Sequence, residues 1–178
     1  MSYFGNNSPG SATASLSNYI VGGHYAPSQN GYVIDIQMYA QNLDTNPHNL
    51  FAALYVYLGP GNPGPVISYT NSTVIPANTT EALFLCPFPS NVPVSAGTQY
   101  FIMAETDDQS GLVYLWYNPG GAAGIDAYYT PISTPPYWPD LTGLCTSSTA
   151  ERCIFADYIP SVPSVPQVYG DGLTSYTC

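Results

Sequence analysis

Basic residues are almost lacking in this chain of 178 residues, because Arg152 is its single Lys or Arg against eleven Asp and Glu. Charged side chains make up 7% of the sequence, whereas soluble domains average about 25%. Proteins that bind nucleic acid or an acidic membrane surface neutralise phosphates with Lys and Arg. We therefore expect no nucleic-acid partner, and the net charge of -10 predicts a surface that repels other anions.

Long apolar segments are lacking as well, since no run approaches the roughly 18 residues of a membrane span. The opening MSYFGNNSPG has neither the basic region nor the apolar region of a signal peptide. We therefore expect no membrane span. We also expect either synthesis in a cytoplasm without export or an export signal that has been removed.

Residues for acid–base chemistry are few. His24 and His48 are the only histidines, and no G-x-S-x-G nucleophile motif occurs. A catalytic triad would need one of these histidines beside a nucleophile and a carboxylate, and the sequence offers no such pattern. The sequence therefore predicts a protein that is not an enzyme and that needs no cofactor.

What the chain has in abundance is Tyr, Pro and Gly, with 17, 18 and 16 copies. Tyr favours pleated, half-buried strands, whereas closely spaced Pro and Gly interrupt helices. Between Val33 and Tyr117 several short segments alternate apolar and polar residues, and turn residues separate them. This pattern predicts an all-β protein with an antiparallel β-sandwich.

Two segments carry the strand pattern most clearly. Gly31–Ala40 (GYVIDIQMYA) alternates, and Leu50–Leu58 (LFAALYVYL) is apolar on both faces. Further strands are expected at Val66–Val74, Glu81–Cys86, Gln99–Thr106, Leu112–Tyr117, Ile125–Thr130 and Arg152–Tyr158. The inward side chains of these strands should form the core, which we predict to contain Ile34, Ile36, Leu54, Val56, Leu83, Leu85, Ile102 and Trp116.

The composition changes after residue 158. Pro160, Pro163 and Pro166 recur at a spacing of three, which suits an extended polyproline-like segment and excludes a central strand. We therefore divide the chain into a sandwich domain, residues 1–158, and a Pro-rich C-terminal arm, residues 159–178. We predict that the arm packs on a neighbouring subunit or on the underlying shell through its apolar side chains, which are Val162, Val165, Val168, Tyr169 and Leu173.

Three sets of residues are candidate sites. Glu105, Asp107 and Asp108 provide oxygen ligands at loop spacing, which suits calcium, and the alternative is a solvated hairpin tip. Tyr137 and Trp138 could stack on a sugar, or they could hold down a long loop. Cys145 and Cys153 flank a short turn and could form a disulfide, with buried free thiols as the alternative.

The layout of these segments resembles a known module. The paired strands NGYVIDIQMYA and LFAALYVYL, the Pro-led strands VIPANTTEALF and PVSAGTQYFIMAET, and SGLVYLWYNPGG resemble the jelly-roll-like β-sandwich of phage structural proteins and bacterial surface or secreted proteins. The resemblance covers about Phe4 to Tyr158 and excludes the arm. It implies a jelly-roll-like fold and a role in decoration, adhesion or carbohydrate binding.

The resemblance and the missing signal peptide together predict a structural protein on the virion surface, such as a capsid decoration, cement or tail surface protein. Its partners would be copies of itself, or a capsid or tail protein. A carbohydrate-binding or adhesion module at a cell surface, with a glycan as partner, is the first alternative. A subunit of an extracellular filament or tube is the second.

Overall fold

The computed structural model describes residues 2–17, 19–120, 136–145 and 150–161 of the chain. These residues form twelve β-strands in two antiparallel sheets, and they contain no helix. The predicted all-β class and β-sandwich are therefore confirmed. In the described part of the chain, no helix has the length and apolarity that crossing a membrane requires.

The larger sheet has seven strands and is built around its longest inner strand, β4. Along one side β4 pairs with β12 and then with β10, and along the other side it pairs with β8. The strands of this sheet are β1 (Ser2–Gly5), β2 (Ala12–Ser15), β4 (Gly31–Asn42), β8 (Thr79–Val94), β10 (Val113–Pro119), β11 (Ala150–Arg152) and β12 (Ile154–Pro160).

The smaller sheet has five strands in the order β3, β9, β5 and β6, and β7 also pairs with β5. The strands of this sheet are β3 (Val21–Tyr25), β5 (His48–Tyr57), β6 (Pro63–Tyr69), β7 (Thr73–Ile75) and β9 (Tyr100–Thr106). Gly22 lets β3 lie close to β9, because a Cβ there would stand 1.9 Å from the Ile102 carbonyl oxygen.

Three of the eight side chains predicted for the core between the sheets lie in it. Ile36, Leu54 and Ile102 are fully buried there, as the alternation of β4, β5 and β9 predicts. Ile34 is only partly buried, because the ladder between β4 and β8 shifts register between Val33 and Asp35. This bulge reverses the alternation, and Val33 points into the core instead.

The predicted facing of β8 is wrong. Leu83 and Leu85 lie opposite Tyr39 and Gln37 of β4, on the outer face of the large sheet, and each is 46% exposed. The inward positions of β8 are instead occupied by Phe84, Cys86 and Phe88.

Two further side chains predicted for the core are only partly buried. On β10 the inward residues are Val113 and Leu115. Because side chains alternate between the two faces of a strand, Trp116 lies on the other face. Val56 lies near the end of β5, where burial decreases. For both strands the sequence predicts the right segment. It does not predict which face of β10 is buried or where the burial of β5 ends.

Several strand bounds also differ from the predicted ones. The segment Val66–Val74 is split into β6 and β7, and Glu81–Cys86 is the middle of a much longer strand. β12 continues through Pro160, and the Ser161 N–H donates to the Asn30 carbonyl at 2.7 Å, past the predicted start of the arm. The predicted strand at Ile125–Thr130 and the arm residues Val162, Val165, Val168, Tyr169 and Leu173 lie outside the described residues.

A second apolar cluster lies on the outer face of the five-stranded sheet. Residues 136–145, here called the strap, cover this face with the buried side chain of Leu141 and with Trp138 and Cys145. Beneath the strap, the sheet contributes buried side chains from around β3, β5 and β9, which are Ile20, Ala53, Tyr55, Phe101 and Met103.

The predicted disulfide between Cys145 and Cys153 is wrong, because both are free thiols. Cys145 packs with the strap cluster on the five-stranded sheet. Cys153 lies between β11 and β12 in the other sheet, where its N–H donates to the Trp116 carbonyl at 2.9 Å. Nearness in sequence did not bring the two thiols together, because the chain changes sheets between them.

Candidate functional site

The densest group of polar side chains lies at one end of the sandwich, where two connections meet. Asp44 belongs to the turn between β4 and β5, and His48 is the first residue of β5. Asp107 and Asp108 follow the last residue of β9. These residues are brought together because β5 pairs with β9 with Leu50 opposite Thr106. We call Asp44, His48, Asp107 and Asp108 the histidine cluster.

The turn that carries Asp44 is fixed by side-chain hydrogen bonds to the backbone. Asn42, at the end of β4, donates to the Asn46 carbonyl at 2.9 Å and accepts from the Asp44 N–H at 2.8 Å. Asp44 Oδ1 in turn accepts from the Asn46 N–H at 3.1 Å. Asn and Asp stabilise turns in this way, and here they orient the second carboxylate oxygen of Asp44 toward His48.

Both ring nitrogens of His48 face carboxylates. Nε2 is 3.0 Å from Asp44 Oδ2 and 3.8 Å from Asp108 Oδ1, and Nδ1 is 3.3 Å from Asp107 Oδ1. A neutral imidazole has one N–H and would direct a lone pair at one of these anions. The geometry therefore fits the imidazolium, which donates on both sides.

Asp108 is a hydrogen-bond acceptor for five donors and is almost completely buried. Its Oδ2 accepts from Ser17 Oγ at 2.7 Å and from the N–H groups of Leu112 and Val113 at 2.8 and 2.9 Å. Its Oδ1 accepts from the N–H and hydroxyl of Ser110 at 2.7 and 2.6 Å. Five donors satisfy both oxygens, so this carboxylate anchors the β9–β10 loop.

The pKa values of the cluster shift in the directions that these contacts require. Burial opposes the charge of His48, but hydrogen bonds and the charges of the neighbouring aspartates outweigh it and raise its pKa. Burial would raise the pKa of Asp108, yet the donated hydrogen bonds from Ser110 and Ser17 hold it far below its usual value. The hydrogen bond from His48 lowers the pKa of Asp44.

The predicted calcium trio does not assemble. Among the described residues, the group with ligand atoms within 4.8 Å of one another is Asp44, His48 and Asp108, and it excludes Glu105. Calcium prefers oxygen ligands, whereas the centre of this group is an imidazole nitrogen. Because the lone pairs of Asp108 are already used, the arrangement favours the His48 imidazolium as the cation of the cluster.

The histidine cluster predicts a specific dependence of stability on pH. A raised pKa in the folded state means that the contribution of His48 is complete below its unfolded value of 6.5 and is lost as pH rises through the folded pKa. His48→Gln should therefore lower the free energy of unfolding by about 1 kcal/mol in mildly acid solution and by almost nothing in alkaline solution. Urea unfolding of both proteins across this pH range measures the difference, and a cost independent of pH would contradict the imidazolium assignment.

Glu105 lies apart from the cluster, on the strap side of the small sheet. Its side chain is fully buried and its Oε1 accepts from the Tyr137 N–H at 2.8 Å, whereas its Oε2 has no hydrogen-bond partner among the described residues. Burial raises the pKa of Glu105 to about 8. Glu105 is therefore protonated at neutral pH.

The predicted sugar-stacking residues face different surroundings. Trp138 packs edge-on against Tyr55, with ring centroids 6.2 Å apart and planes at 67°, whereas Tyr137 is 44% exposed. Tyr55 also donates its hydroxyl proton to the Pro139 carbonyl at 3.1 Å. Trp138 thus holds the strap on the sheet, and of the two predicted residues only Tyr137 has an exposed ring.

The second histidine has a packing role. His24 lies between the rings of Tyr57 and Phe101, with centroids 5.0 and 5.5 Å away. Burial lowers its pKa, so the ring is neutral near neutral pH.

Comparisons with known proteins give no match: no family model, no curated protein and no solved structure resembles the chain significantly.

Sequence reasoning missed Asp44, His48, Ser17 and Ser110 as members of one site. The turn Asn42–His48 is rich in Asn and Asp and does signal a structured turn. Its proximity to Asp108 depends on the pairing of β5 with β9, which no local pattern reveals. The sequence grouped Asp107 and Asp108 with Glu105 as calcium ligands, whereas in the fold these two aspartates face a histidine.

Proposed function

We propose that this protein is a non-enzymatic structural subunit on the exterior of an assembly, most specifically a phage virion decoration, cement or tail surface protein. The observation that carries this proposal is a border of the sandwich at which large apolar side chains are exposed. The assignment to a virion surface rests on the resemblance of the strand layout to phage structural modules.

The border is formed where β8 of the large sheet lies beside β6 and β7 of the small sheet. Thr73 Oγ1 donates to the Leu85 carbonyl at 2.6 Å, and the Asn71 N–H donates to the Pro87 carbonyl at 2.8 Å, which joins the two sheets here. Five large apolar side chains on these three strands are 39–58% exposed, and we call them the apolar border: Ile67, Tyr69, Val74, Leu83 and Leu85.

Exposed apolar groups are common singly, but a set gathered on adjacent strands is typical of an interaction surface. Part of β8 is also open to pairing with a strand of another molecule. Its second half carries Pro87, Pro89 and Pro93, which prevent further strand pairing, whereas Thr79–Cys86 has no proline. The exposed Leu83 and Leu85 lie in this proline-free half.

Charge favours the same surface. The chain carries a net charge of -10 and has no Lys, so identical copies repel each other over most orientations. The five residues of the apolar border are uncharged. Contact through this border therefore buries apolar area while it keeps most carboxylates in solvent.

The C-terminal arm belongs to the same proposal. Its apolar residues and prolines suit docking on a neighbouring subunit, because proline reduces the entropy that ordering costs. A decoration or tail surface protein joined in this way would have copies of itself, or a capsid or tail protein, as partners.

A filament or tube subunit is the second candidate, because an edge strand with exposed leucines can also form head-to-tail contacts that repeat without closing. A carbohydrate-binding module has less support. Exposed Tyr137 favours it, but Trp138 is already used in packing against Tyr55.

Leu85→Asp tests the border directly. The new charge would have to be desolvated in any contact through this surface, so self-association should weaken at least tenfold. The free energy of unfolding should change by less than about 1 kcal/mol, because the Leu85 side chain is 46% exposed. Sedimentation velocity over a wide range of protein concentration measures the association.

The matched control is Leu144→Asp, which adds the same charge at a residue that is 51% exposed and lies on the strap. This variant should associate as the unmodified protein does. Equal association of all three proteins would contradict a role for the apolar border.

A further inference from the structure

The strap is attached to the small sheet by a few contacts that lie close together. The Tyr137 N–H donates to Glu105, the Tyr55 hydroxyl donates to the Pro139 carbonyl, and the Gly143 N–H donates to Asn62 Oδ1 at 2.8 Å. Leu141 and Trp138 add apolar packing. The described strap has no strand pairing with the sheet, so these contacts hold it.

Glu105 is a carboxyl group buried beneath this cover. Among the described residues, Tyr55 on β5 interacts electrostatically with Glu105, and Asp140 and Cys145 of the strap act on Tyr55 in turn; none of these three groups is a cation. One oxygen accepts from the Tyr137 N–H, and the other has no partner in the described part of the chain, so an ionised Glu105 would be a buried charge with a single hydrogen bond there. A neutral carboxylic acid avoids this cost.

We propose that the strap is a proton-dependent cover, which lies on the sheet while Glu105 is protonated and is released when Glu105 gives its proton to solvent. Ionisation places a negative charge in an apolar site, and lifting the strap rehydrates that charge.

Release of the strap would uncover the apolar outer face of the small sheet. Phe101, Met103 and Tyr55 are buried there and would become a second interaction surface, separate from the apolar border. The molecule would then present one apolar surface at all pH values and a second one in alkaline solution. This inference does not depend on the proposed assembly role.

The direction of the pH effect follows from linkage. The pKa of Glu105 is raised from 4.5 to about 8 in the closed state, so closure is strongest below 4.5, weakens as pH rises above it, and is weakest beyond about 8. The neighbours do not titrate in this interval, because burial raises the pKa of Cys145 to about 11 and also raises that of Tyr55. Hydrogen bonds from Thr142 lower the pKa of Asp140, which is already ionised.

Trp138 reports on the strap. The chain has two tryptophans, so Trp116→Phe leaves Trp138 as the single one. In this background, quenching of tryptophan fluorescence by acrylamide should rise at least threefold between about pH 5 and about pH 9 and then level off. Far-UV circular dichroism should stay constant, because the two sheets remain intact.

Glu105→Gln in the same background is the decisive comparison. The amide can still accept from the Tyr137 N–H but cannot ionise, so quenching should stay low throughout this pH range. His48 remains in this variant, so titration of the histidine cluster is present in both proteins and cancels. The same rise in quenching in Glu105→Gln, or no rise in its parent, would overturn the proposal.

A direct titration covers the case in which Glu105→Gln does not fold. The carboxyl carbon-13 resonance of Glu105 in the otherwise unmodified protein should titrate above pH 7, several units higher than an exposed glutamate. An ordinary glutamate titration would overturn the proposal as well.

Discussion

Asp108→Ala is expected to lower the free energy of unfolding by about 3–5 kcal/mol, the cost of leaving buried partners of a charged group without it. The substitution removes the acceptor of five hydrogen bonds. The N–H groups of Leu112 and Val113 and the Ser17 hydroxyl would then be left without this partner at the start of β10. Urea denaturation at neutral pH measures the loss.

Asp107→Ala is the matched control, since it removes a neighbouring carboxylate that is more exposed and bonds to the N–H and side chain of Asn49. We expect a cost of about 1–2 kcal/mol for it. The Asp108 penalty should also shrink in acid. Its pKa is lowered, so its contribution is present above the unfolded value of 3.8 and is lost as pH falls. Equal penalties for both substitutions would contradict the anchoring role of Asp108.

Leu54→Ala should lower the free energy of unfolding by about 2–5 kcal/mol, because it removes a fully buried side chain between the two sheets and leaves a cavity. Ile36→Ala on the facing sheet should cost a similar amount. Leu83→Ala is the control, since this residue is 46% exposed, and we expect less than about 1 kcal/mol. Melting temperatures that rank Leu83→Ala with the other two variants would show that the facing of β8 described here is wrong.

The two sheets could be predicted from the sequence because alternation is a local property. Gly31–Ala40 carries it within itself and is a strand of nearly the predicted length. Which face of each strand is buried was less predictable. A single bulge between Val33 and Asp35 displaces Ile34, and β8 presents leucines to solvent and Phe84 and Cys86 to the core. When both faces of a strand are apolar, alternation does not show which face is buried.

The histidine cluster could be predicted only in part. The acidic pair Asp107 and Asp108 is visible in the sequence, but His48 joins it through a strand pairing between distant segments. The predicted disulfide failed for a related reason, since Cys145 and Cys153 are close along the chain and lie on different sheets. Contacts that depend on topology were therefore missed, whereas local strand patterns were found.

A protein with one basic side chain must stabilise its buried carboxylates by other means. Asp108 is stabilised by five hydrogen-bond donors, His48 supplies a positive charge to Asp44 and Asp107, and Glu105 retains its proton. The last two devices depend on bound protons. Both the histidine cluster and the strap should therefore weaken as pH rises, through groups on different parts of the fold.

Hydrogen exchange of the backbone amides in Thr79–Cys86, compared between dilute protein and the associated state, tests the proposed assembly surface most directly. Contact through the apolar border should slow exchange in this proline-free half of β8 and leave the amides around the exposed Leu144 unchanged. Association accompanied by unchanged exchange along β8 would contradict the account.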